Sequence, residues 1–71
     1  MDFEIVFDRE EDGRWIADVP ELPGVMAYGA TRDEALARVE ALGLRVLADQ
    51  IERREFVLRE DGVAFVPSAA G

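Results

Sequence analysis

Residues 15–43 read WIADVPELPGVMAYGATRDEALARVEALG. With Arg14 before it, this stretch opens on an alternation. Trp15, Ala17 and Val19 share one face, and Arg14, Ile16 and Asp18 share the other, which is the period of a half-buried strand. Pro20-Glu21-Leu22-Pro23-Gly24 interrupts it. Neither proline has an amide to give to a ladder, so this segment is a rigid crossing between strands. Residues 25–29, VMAYG, predict a short strand with Gly29 at its end or at a bulge. Thr31-Arg32-Asp33-Glu34 then forms a capping box. In it Thr31 accepts from the Glu34 amide, and the Glu34 carboxylate reaches back to the Thr31 amide. A helix to about residue 53 follows.

Outward from this stretch the pattern continues in both directions. Residues 3–8 alternate, with Phe3, Ile5 and Phe7 on one side and Glu4, Val6 and Asp8 on the other. Arg9 to Gly13 turns the chain, so 3–8 and 14–19 make an antiparallel hairpin. Downstream, residues 55–59 suit either a helical extension or a strand. Asp61-Gly62 is a turn signal, Val63-Ala64-Phe65-Val66 reads as a last strand ending at Pro67, and residues 68–71 are expected to be a disordered tail. The fold class is α+β with the order βββαβ. It has a mainly antiparallel sheet and one long helix packed on one face. The right-handed crossover rule sets the last strand beside the first and parallel to it. One domain, residues 1–67, is the ceiling at this length.

The helix has two sides worth separating. At 100° per residue, Ala35, Leu36, Val39, Leu42, Gly43, Val46 and Leu47 fall in one arc, which faces the sheet. Gly43 lies near its middle, where a missing side chain permits close approach despite a helix-propensity cost of ~1 kcal/mol. Ala37, Ala41, Leu44, Ala48 and Ile51 lie opposite. Either they are ordinary exposed helix formers, or Leu44, Ala48 and Ile51 form an oligomer interface. The second reading answers a deficit. A 71-residue core rarely supplies more than ~3–5 kcal/mol, and with no cysteine there is no disulfide to assist it. A homodimer or higher homo-oligomer is therefore expected.

Composition narrows the chemistry. Histidine, cysteine and lysine are all absent. The usual general base, the thiol nucleophile, Schiff-base chemistry and nearly every zinc site go with them. Ser68 and Thr31 have no histidine to activate them. Glu10-Glu11-Asp12-Gly13 lacks the ligand spacing of a calcium loop and reads as hairpin turn chemistry. No enzyme activity, cofactor or metal is expected. Sixteen carboxylates against eight arginines give a formal charge of −8. That charge repels phosphate backbones and anionic membranes, and it favours a basic partner. No run approaches the ~18 apolar residues of a membrane span, so a cytoplasmic protein is expected.

The motifs Pro20-Glu21-Leu22-Pro23-Gly24 and Gly29-Ala30-Thr31-Arg32-Asp33-Glu34-Ala35, with the closing Val66-Pro67-Ser68, resemble those of the HicB-like antitoxins. The resemblance spans almost the whole chain. It implies a truncated RNase H-like domain that binds and neutralises a small basic toxin, a HicA-like mRNA interferase. Toxin contacts are then expected on the exposed sheet side and the Pro20–Gly24 crossing, with Glu21, Leu22 and Pro23 as the named residues; the alternative is that the crossing is purely structural. An active RNase H-like enzyme needs metal-holding carboxylates on the first strand, the helix and the last strand. Glu4 or Asp8 and Glu40 offer the first two, and the last strand offers none. The family's C-terminal ribbon-helix-helix or helix-turn-helix segment has no counterpart after Pro67, so direct nucleic-acid binding is not expected. A self-associating interaction or scaffold module without a toxin is the competing reading.

Overall fold

The computed structural model of the chain describes residues 1–68; of the expected tail, Ser68 is tied to β1 by its amide, which donates to the Ile5 carbonyl, and residues 69–71 lie outside the described residues. Its order is β1 (Asp2–Arg9), β2 (Trp15–Asp18), β3 (Met26–Gly29), α1 (Arg32–Glu52) and β4 (Ala64–Pro67). The sheet runs β3-β2-β1-β4. β1 and β2 pair antiparallel from Val6↔Asp18 to Arg9↔Trp15, and β2 and β3 from Trp15↔Gly29 to Asp18↔Met26. β4 pairs parallel to β1, from Asp2↔Ala64 to Ile5↔Pro67. The α+β class, the single covering helix and the parallel last strand are those the sequence predicts.

Alternation decides what is buried. Phe3 and Ile5 from β1 and Ala17 from β2 meet Ala35, Val39 and Leu47 from α1, with Val19, Leu22 and Val25 from the crossing. Leu36, Leu42 and Val46 flank them, partly buried. The helical arc read from the sequence is thus the packed arc. Gly43 is part of it. A Cβ there would lie 2.7 Å from Cζ of Phe65, so the absence of a side chain lets the Phe65 ring seat against the helix. Phe65 in turn stacks on Phe3 at 5.7 Å between centroids. Gly29 is more constrained still. A Cβ on it would meet the Ala35 nitrogen at 2.4 Å and the Thr31 carbonyl oxygen at 2.9 Å, both backbone atoms.

Both helix ends depart from expectation in detail. Thr31 Oγ1 accepts from the Glu34 amide at 3.1 Å, as a cap should. The Glu34 carboxylate, however, accepts from the Ala30 amide at 3.0 Å rather than from Thr31. The same carboxylate pairs with Arg38 at 3.3 Å, and Arg38 also donates to the Tyr28 carbonyl, so the cap is tied to β3. At the other end, the Arg54 amide donates to Ile51 and the Glu55 amide to Gln50. These are the paired bonds of a Schellman motif. Its left-handed residue is Arg54, at φ 62°, where glycine is usual. The chain therefore leaves the helix at once, and residues 55–59 form neither the helical extension nor the strand considered above.

Two substitutions check this account by thermal or urea unfolding. Gly29→Ala is expected to cost about 2–3 kcal/mol, because backbone cannot give way to the added methyl. Arg54→Gly is expected to stabilise by about 0.5–1 kcal/mol, because the left-handed strain goes while the motif stays.

Candidate functional site

Two concave surfaces stand out, and they differ in chemistry. The first is an acidic notch of about 230 Å³ bounded by Asp2, Glu4, Glu21, Val66 and Pro67. Its walls follow from register. Asp2 and Glu4 are two apart on β1, so both project from the sheet face that α1 leaves open. The pair Glu4↔Val66 sets β4 beside them. Glu21 arrives from the crossing, and its carboxylate accepts from the Glu4 amide at 3.3 Å. That amide lies beyond the last β1–β2 pair, Val6↔Asp18, so Glu21 caps β1 where β2 stops.

The crossing itself is tightly built. The Val19 amide donates to the Val25 carbonyl, the Leu22 amide to Val19 and the Val25 amide to Leu22, each at 3.0 Å. Of the three residues named there from sequence, only Glu21 lines the notch. Pro23 is exposed on the outside of the crossing. Leu22 is 6% exposed and packs in the core. Its role in this structure is to anchor the crossing, and it presents no surface to a partner.

The second surface is an apolar groove of about 360 Å³ at the C-terminal end of α1. Leu44, Ala48 and Ile51 form its helical wall, and Phe56, Leu58 and Val63 its other wall. All three residues named as an oligomer interface are therefore brought to one place. Phe56 is seated by Phe3, 6.4 Å away between ring centroids. Leu58 and Val57 beside it remain 56% and 76% exposed. Ala37 and Ala41 lie further up the helix, outside the groove.

Charge is unevenly spread along the chain. Residues 1–21 carry eight carboxylates and two arginines, whereas residues 44–63 carry five carboxylates and four arginines. Near the groove the charges neutralise one another. Arg53 pairs with Asp49 at 2.7 Å and with Glu55 at 3.5 Å, and Asp61 holds the Met1 ammonium at 3.0 Å. That ammonium keeps the Asp61 carboxyl below its ordinary value. In the β1–β2 turn, the Arg14 amide, with the Arg14 guanidinium, does the same to Asp12.

Glu4 and Asp8 point away from α1, which carries Glu40, so the sheet stands between the carboxylates that an RNase H-like centre would unite. Among the described residues no group of three acids is placed to hold a metal ion, and no helix is long and apolar enough to cross a membrane. The notch residues Asp2, Val66 and Pro67 were recoverable from sequence once β4 was aligned on β1. The groove's outer wall was not, because residues 55–59 suit a helical extension and a strand alike and form neither.

The chain is 37% identical over 59 residues to a UPF0150 protein of Archaeoglobus fulgidus, a match covering 80% of this chain and 86% of that protein. It is 35% identical over 40 residues to a UPF0150 protein of Thermoplasma acidophilum, covering 56% of this chain and 58% of that one. No family model and no solved structure matches it.

The contrasting roles within the crossing can be separated by urea unfolding. Leu22→Ala is expected to lose about 2–4 kcal/mol as a core truncation. Pro23→Ala is expected to lose no more than about 1 kcal/mol, because it frees only the unfolded chain at the turn that the Val25 amide closes on Leu22.

Proposed function

The chain belongs to the UPF0150 family, and from that premise we propose that it is a non-catalytic binding protein of the HicB-like antitoxin kind. Its target is a small basic mRNA-interferase toxin of the HicA-like type, bound in the cytoplasm. The observation that carries this reading is the acidic notch. Asp2, Glu4 and Glu21 converge there, within an N-terminal segment, residues 1–21, that carries eight carboxylates and only two arginines. A cationic side chain entering the notch meets three carboxylates, and its aliphatic stem lies against Val66 and Pro67. The wider field of β1 and β2 steers a basic protein toward that entrance. The motifs of the crossing and the helix start, which resemble those of HicB-like antitoxins, supply the identity of the partner.

A second reading is a self-associating interaction module without a toxin, and one observation favours it. The groove at the end of α1 is apolar and nearly neutral, the opposite of a surface built for a cationic partner.

Titration of a HicA-like toxin into the chain tests the first reading. A complex is expected at low ionic strength, and it weakens steeply with salt. Glu4→Gln with Glu21→Gln is expected to weaken it by about tenfold, roughly 1.4 kcal/mol. Glutamine at position 21 still accepts from the Glu4 amide, so the crossing is kept. Absence of any complex at low ionic strength, or an affinity indifferent to both substitutions, overturns the reading.

A further inference from the structure

We propose that a second copy of this chain covers the apolar groove, each copy laying its Val57-Leu58 segment against the other's Leu44–Ile51 wall. This assembly stands apart from the toxin reading and uses residues on the opposite end of the helix from the capped start.

Three observations converge on that occupant. Four of the most exposed large aliphatics, Leu44, Ile51, Val57 and Leu58, lie at this one place, whereas exposed aliphatics on a monomer are ordinarily scattered singly. Concavity and protrusion are also adjacent on the same chain. The groove lies between α1 and residues 56–63, and Val57, 76% exposed, stands beside it. A surface that offers both halves of a contact suits a two-fold, self-complementary interface.

Charge then selects among occupants. Two chains of formal charge −8 repel if they meet strand face to strand face. Residues 44–63 carry four arginines against five carboxylates, and ion pairs at 2.7 and 3.5 Å quench Arg53 locally. This is where two copies approach with little repulsion. A basic protein finds no corresponding attraction there, since the groove's walls are almost wholly hydrocarbon. The helix also delivers the site outward. At ~1.5 Å per residue, the 21 residues of α1 span roughly 30 Å, and the molecule is 39 Å along its longest axis.

Light scattering and sedimentation equilibrium on the full chain, across micromolar concentrations and at high salt, test the proposal. The parent is expected at the mass of two chains, and salt does not dissolve the dimer, unlike a complex held by the acidic notch. Leu58→Asp and Leu44→Asp, at positions 56% and 54% exposed, are expected at the mass of one chain with unchanged circular dichroism. Met26→Asp, on the opposite sheet edge, stays dimeric. On the parent chain itself, amide exchange at Val57 and Leu58 slows as concentration rises. A parent that is monomeric throughout, a dimer that survives both aspartates, or exchange at Val57 and Leu58 that ignores concentration overturns the proposal.

Discussion

The seating of Phe65 against Gly43 is the contact on which the rest of the molecule depends. β4 is the only strand that α1 must carry back across the sheet, and its own ladder is short. The Ala64 amide donates to Met1 and the Ser68 amide to Ile5 at its two ends. What fixes it laterally is the Phe65 ring, stacked on Phe3 and lying where a side chain at position 43 would be. Displacing that ring loosens β4, and β4 supplies one wall of the acidic notch. Phe3 in turn seats Phe56, and through it the outer wall of the groove. One cluster of three phenylalanines against one glycine thus underlies both concave surfaces.

Those surfaces divide the molecule by chemistry. At the junction of β1, β4 and the crossing, carboxylates face solvent and attract cations. At the C-terminal end of α1, hydrocarbon faces solvent and Arg53 is paired with Asp49 and Glu55. A contact made at the first would weaken with salt, and one made at the second would not. This division accounts for the composition. Six of the eight excess negative charges fall within the first 21 residues, so the acidity is concentrated in the N-terminal hairpin and crossing and is not a uniform coat.

Most of the fold was legible because its determinants are periodic. Alternation gave β1 and β2, the arc at 100° gave the packed side of α1, and the crossover rule gave the parallel pair. The parts that escaped are local and depend on single torsions or long-range register. Arg54 takes a left-handed conformation that nothing in its side chain announces, and the run after it consequently forms no regular element. Leu22 sits between two prolines in a segment that reads as surface, yet three backbone hydrogen bonds fold the crossing over it. Of the candidate site, the helical wall of the groove and Glu21 could be named from sequence. Asp2, Glu4, Val66 and Pro67 come together only once strands 62 residues apart in the chain are placed in register.

That separation has a kinetic consequence. The β1–β4 pair joins the two ends of the described chain, whereas the β1–β2–β3 meander and α1 are made of contacts near in sequence. Long-range parallel pairing bears the largest loop-closure entropy and is rewarded last. The meander and helix rest on contacts that close without β4, whose pairing covers the Phe3 side of the core. Closure of β4 is then the step that completes the fold, and Val66 and Pro67 reach the notch only when it occurs. A ligand that grips Asp2 and Glu4 together with Val66 and Pro67 holds the two ends of the chain in one clasp. Its binding energy therefore adds directly to the stability of the closed sheet.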